Sequence, residues 1–242
     1  MATLAKRARA KKRAARASSP GRRELPLVIG LLILHQVLLT VIHYIVGPAL
    51  GVSPMSPGLI AATIVAAAVI MALPLWWDLR RPDRRRAVGM VRLQGDHRAA
   101  TTVAIACVIS QVPLLILALQ GATVWQAGRA STLAVGHALL GGGPIAGAAL
   151  VAATVVVGPA IEELLYRGYL QGALARRIGS AGSIAIATLA FMLLHAEIAN
   201  WVASICLGIA TGFCRARTGS IWPGLAVHAA NNAFGLWYIT LA

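Results

Sequence analysis

Outside two short basic stretches, the chain carries too little charge to face water. Residues 1–24 hold nine Lys/Arg and one Glu, and residues 78–98 hold seven Arg and three Asp; nine charged residues remain for the other 197 positions. Long apolar runs fill those positions. Hydrophobic residues make up 58% of the 242, enough for about seven spans of roughly twenty residues. Ordinary soluble domains carry about 25% charged residues, against 12% here. A soluble enzyme, a secreted disulfide scaffold and a disordered chain are all excluded. The pattern predicts an all-α polytopic transmembrane helical bundle of about seven spans, preceded by a basic, disordered N-terminal tail.

The net charge of +15 does not mark a nucleic-acid partner, because the basic residues flank apolar segments and no nucleic-acid motif accompanies them. Their expected partner is the lipid bilayer. Cys107, Cys206 and Cys214 sit in apolar runs at no metal-like spacing, an odd count that closes no disulfide framework. Residues 1–24 are expected to be a cytoplasmic tail, and residues 25–144 a set of N-terminal transmembrane helices. Spans are expected at about Leu25–Val46, Leu59–Trp77, Ala99–Leu119, Ile145–Arg177, Ser183–Ile198, Trp201–Phe213 and Ile221–Leu241, with Trp76 and Trp77 as an interfacial anchor. The stretch Gly121–Pro144 reads as a loop, an interfacial helix or a poor span. Basic residues before span one, between spans two and three, at Arg176-Arg177 and at Arg215 and Arg217 all fall on one side. The positive-inside rule then places the N-terminus in the cytoplasm and the C-terminus outside, in a multi-pass plasma-membrane protein.

Ionisable groups inside a span are costly and need a partner or a function. The densest case is Pro159-Ala-Ile-Glu162-Glu163-Leu-Leu-Tyr166-Arg167-Gly168. Glu163 and Arg167 are four apart on a helix and share a face, which predicts a structural pair. Glu162 is turned about 100° away and left to point elsewhere. Two further elements carry imidazoles, Phe191-Met-Leu-Leu-His195 and His228-Ala-Ala-Asn231-Asn232. A hairpin turning at Ile178-Gly179-Ser180 would bring Glu162 and His195 to the same height, about 25 Å from the turn. His228 and Asn232, four apart, project together. A desolvated carboxylate with two imidazoles and an amide is suited to activating water, as general base and later acid. His and Asn donors suit a developing oxyanion. Zinc held by His195, His228 and a Glu is the competing idea, although no H-E-x-x-H occurs.

Glu162-Glu163-x-x-x-Arg167, Phe191-x-x-x-His195 and His228-x-x-x-Asn232, in that order, resemble the CPBP family. This family comprises the type II CAAX prenyl endopeptidases and the bacterial bacteriocin-processing and self-immunity proteins. The resemblance covers residues 145–242, which would form a catalytic helical core. It implies an intramembrane glutamic endopeptidase, without metal or cofactor, acting on a membrane-proximal peptide or protein. By position, Glu162 and His195 would activate water, His228 with Asn232 would form the oxyanion site, and Glu163 and Arg167 would support the fold. A non-catalytic immunity or scaffold protein of the same fold, and a metal-dependent membrane protease, are the alternatives. A transporter is disfavoured because no inverted repeat of broken helices is apparent.

Three weaker features complete the reading. Gly208-x-x-x-Gly212 is expected to serve close packing within the bundle rather than a dimer face. His35, His43, His97 and His137 match no motif and are expected to be packing or interfacial residues. Glu197 is expected to be solvated.

Overall fold

The computed structural model describes residues 24–93, 97–120, 141–195 and 200–239. The basic tail, most of Gly121–Pro144, His137 and Glu197 lie outside the described residues. Among the described residues the apolar runs form helices and no strand. Helix α1 is Glu24–Val41, prolonged by a π-helical turn at Ile42–Val46 and a short turn at Gly47–Ala49. Next come α2 (Pro57–Leu79), the short α3 (Pro82–Ala87) and α4 (His97–Gln120). Helix α5 starts at Gly143 and runs to residue 178, through π-helical stretches at Ala153–Val157 and Glu163–Gln171. Helix α6 covers residues 180–193, α7 is Trp201–Thr218 and α8 is Trp222–Ile239.

Three stretches, Glu24–Ala49, Pro57–Leu79 and Gly143–Leu193, are long and apolar enough to cross a membrane. The bundle is apolar outside as well as inside. Tyr44, Ile45, Val69, Leu73, Val108 and Leu193 are all exposed, a surface that only lipid would solvate. Trp76 and Trp77 are exposed at the end of α2 with the Arg80 guanidinium 4.0 and 4.5 Å from their ring centroids, as an interfacial anchor requires.

Gly179 makes the turn between α5 and α6. Its φ of 75° and ψ of 178° lie in a region open essentially to glycine. A straight helix would hold Tyr166 and Phe191 about 37 Å apart, yet their ring centroids are 5.2 Å apart, edge to face. The chain therefore folds back as the spacing predicts. The far end of α6 departs from expectation. The helix stops at Leu193, not Ile198, because its last carbonyls are already satisfied. Leu194 N–H donates to Ala190 and His195 N–H to Met192, while His195 Nδ1 meets the Phe191 carbonyl at 2.7 Å. His195 thus stands on the helix cap, not on the helix.

The core joins both parts of the chain. Val28, Leu31 and Leu32 of α1 pack in one buried cluster with Leu165, Tyr166, Tyr169 and Leu170 of α5, Phe191 of α6, Leu207 and Ala210 of α7 and Val227 of α8. A Cβ on Gly208 would lie 2.7 Å from Thr188 Cγ2, and one on Gly212 would lie 3.2 Å from Ile184 Cγ2. Both glycines are consumed by the α6–α7 contact inside the bundle.

At one end of the bundle the charged helix termini are tied together. Glu24 accepts from Arg84 (2.9 Å) and Arg176 (2.6 Å), and Asp78 accepts from Arg84 (3.0 Å), Arg81 (2.8 Å) and the Tyr169 hydroxyl (2.9 Å). Burial disfavours the Arg84 charge, but the hydrogen bonds and charges of Asp78 and Glu24 outweigh it and hold the guanidinium above its ordinary pKa. The clasp links α1, α2 and α3 to the base of α5.

Candidate active site

Two stretches of π-helix shape the site. An α-helix reclaims every carbonyl through its i→i+4 ladder, whereas a π-turn breaks that register and is frequent at functional sites. In the Ala153–Val157 turn, the Thr154 carbonyl accepts the Nδ2–H of Asn232 at 2.9 Å. That bond fixes one edge of the Asn232 amide across the α5–α8 interface.

The second π-stretch begins at Glu163 and sends the two adjacent carboxylates into different environments. Glu163 is fully buried, with 0% side-chain exposure, while Glu162 retains 21%. Glu163 Oε1 lies 3.1 Å from Arg167 Nη1, the pair expected from the i,i+4 spacing. The contact lacks hydrogen-bond alignment, so the guanidinium is held by charge and by the Phe191 ring, 4.5 Å from Cζ to centroid. The same Oε1 also receives His228 Nδ1 at 3.0 Å, a contact that spacing alone did not reveal. His228 Nε2 lies 3.6 Å from Glu162 Oε2. One imidazole therefore bridges the two carboxylates.

Phe191 is the hub of the arrangement. It packs against the His195 ring at 4.4 Å, the His228 ring at 5.8 Å and the Arg167 guanidinium. The motif marked its position, but not this role in aligning three functional side chains.

Hydrogen bonding fixes the tautomers. A carbonyl only accepts, so the His195 nitrogen facing Phe191 O carries the proton, leaving Nε2 to accept from water. The Glu163 carboxylate likewise requires N–H at His228 Nδ1. Two carboxyl groups, Glu162 and Glu163, and the Arg167 guanidinium thus surround the His228 ring.

Glu162, His195, His228 and Asn232 line one cavity of about 300 Å³. Glu163 and Arg167 lie behind its wall. Asn231 also lines it, with its Oδ1 taking a hydrogen bond from Gln111 at 3.2 Å. The N-terminal helices complete the enclosure with His35 and Leu39 of α1 and Ile64 and Ala68 of α2. His35, expected as a packing or interfacial residue, is 6% exposed and also lines the cavity; the cost of an ionisable group in a span is the signal that marks it.

Residues 144–234 match the family model described as Type II CAAX prenyl endopeptidase Rce1-like. A Bacillus subtilis (strain 168) protein named "Putative membrane peptidase YdiL" is 27% identical over 85 residues, which span 35% of this chain and 35% of that relative. No solved structure matches the chain significantly. Residues 144–234, which contain the three motifs, are thus similar to the Type II CAAX prenyl endopeptidase Rce1-like family.

Proposed function

We propose that the protein is an intramembrane endopeptidase that hydrolyses a peptide bond of a membrane-proximal substrate through water activated by Glu162. The observation that carries this reading is the separation of two neighbouring carboxylates. Glu163 is buried and matched to Arg167 and His228, whereas Glu162 faces the cavity beside three imidazoles. A single structural ion pair would not need the second acid.

In the proposed reaction, Glu162 takes a proton from water while His195 Nε2 accepts the other O–H and aims the oxygen at the scissile carbonyl. The tetrahedral oxyanion receives N–H groups from His228 Nε2 and the free hydrogen of the Asn232 amide, both held in place by bonds at their other ends. Glu162 then returns its proton to the departing amine. The donor role calls for an N–H at His228 Nε2, the ring edge that faces Glu162 and the cavity. Glu162 stands fourteen residues above Arg176, roughly 20 Å along α5, so substrate is met within the depth of the bilayer.

The clasp of Glu24, Asp78, Arg84 and Arg176 gathers the basic helix ends on one side. By the positive-inside rule that side is cytoplasmic in the plasma membrane. The family's description points to a prenylated C-terminal CAAX peptide as the first substrate to test. The decisive experiment compares the termini of the membrane proteome in cells carrying wild type, Glu162→Gln or no protein. New termini are expected with wild type alone. Identical termini in wild type and Glu162→Gln, with both proteins accumulated in the membrane, would instead favour a non-catalytic scaffold.

A further inference from the structure

The proposed reaction uses two of the imidazoles in the cavity, and the third lies outside the family match. His35 follows Val28, Leu31 and Leu32 on the inner face of α1, at the helical spacing that turns all four inward. Its neighbours along that face are matched to the apolar core, but His35 is not. Its ring lines the cavity that Glu162 also lines. Among the described residues no protein group hydrogen-bonds its nitrogens. Leu39, Ile64 and Ala68, the other lining residues from α1 and α2, are apolar. An imidazole in the wall of a cavity that also holds a carboxylate is placed to serve that carboxylate, directly or through water.

We propose that His35 is a positioning residue for Glu162. Its N–H, directly or through a cavity water, holds the Glu162 carboxylate turned toward the attacking water. Glu162 Oε2 faces His228 Nε2, so His35 serves the remaining oxygen. The N-terminal helix thereby reaches into the chemistry of residues 144–234. This inference rests on the proposed role of Glu162. The titratable groups that face His35 across the cavity are Glu162, His195 and His228.

The test uses the full-length protein in detergent with a quenched farnesylated CAAX peptide. It compares wild type, Glu162→Gln, His35→Leu and His35→Gln. Leu removes the N–H and suits an apolar wall, while Gln restores an N–H at similar reach. His35→Leu is expected to lower kcat at least tenfold with KM within about threefold, and His35→Gln to recover most of the loss. A packing role would leave kcat per folded molecule unchanged in both variants. Equal turnover in His35→Leu and wild type, or equal loss in Leu and Gln, overturns the inference while leaving Glu162 in its role. Full turnover in Glu162→Gln overturns the active-site reading and His35's part in it together. A second measurement needs no substrate: the ¹⁵N imidazole resonances of His35, assigned with His35→Gln, should shift in Glu162→Gln. Unchanged resonances would also overturn the inference.

Discussion

Replacing Glu163 with Gln tests the division between the two carboxylates most directly. The substitution keeps the shape and one acceptor oxygen but removes the charge. Arg167, 1% exposed, is then a buried cation without its anion, a situation that costs about 3–5 kcal/mol. For a protein of this size each kcal/mol moves the melting temperature by about 2–4 °C, so a drop of roughly 6–20 °C is expected. The His228 tether weakens from a charge-assisted to a neutral bond. A loss of about 1.4 kcal/mol in positioning corresponds to about tenfold in rate. Glu162→Gln should do the opposite. Its carboxylate is partly exposed in the cavity and stands 3.6 Å from His228, beyond hydrogen-bond distance, so melting should stay within about 2 °C. Without a proton acceptor, turnover should fall about a hundredfold or more. The assay is paired: melting in detergent, and cleavage per folded molecule, for both variants. If Glu163→Gln abolishes turnover at unchanged stability while Glu162→Gln unfolds the protein, the reasoning fails and the roles are exchanged.

Other outcomes follow from the same geometry. Phe191→Ala should cost about 3–5 kcal/mol in stability and also lower turnover, since the ring packs against Arg167, His195 and His228; Phe191→Leu with wild-type turnover would refute the aligning role. A Cβ at Gly224 would come within 2.9 Å of Glu163 Oε2 and 3.3 Å of the Thr211 carbonyl, so Gly224→Ala should lower both melting temperature and rate, and an unperturbed variant would show that Glu163 has room to move. The proposed cytoplasmic side for the clasp means that a cysteine at Ser53 should react with an impermeant maleimide added outside intact cells and one at Arg86 should not; the reverse pattern would invert the protein. Cleavage should survive chelation if Glu162 is the base, as proposed, and loss restored by zinc alone would transfer the mechanism to a metalloprotease.

Local patterns carried much of this reading. Bunched charges gave the helical bundle, Gly179 gave the hairpin, and the four-residue spacing gave the Glu163–Arg167 pair. Each depends on residues close in sequence. The Glu163–His228 bond joins positions 65 apart and depends on the π-helical phase at Glu163, which no periodicity announces. The early end of α6 was hidden for a similar reason: apolar residues continue past Leu193, while the capping hydrogen bonds become visible only in three dimensions. His35 is an instructive case: the cost argument that singles out Glu162 applies to it equally, but no motif partner nearby links it to the cavity it lines.

The cavity's two walls differ in kind. One, from α5 to α8, carries Glu162, His195, His228 and Asn232; the other, from α1 and α2, is mostly aliphatic and touches the core through Val28, Leu31 and Leu32. The first resembles the cutting edge of a tool and the second its jig. Exchanging Leu39, Ile64 or Ala68 for larger or smaller aliphatics should reshape the cavity at a wall that, His35 apart, carries none of the carboxylate–imidazole cluster. The shape of the space and the charged cluster thus lie largely on stretches of sequence nearly a hundred residues apart.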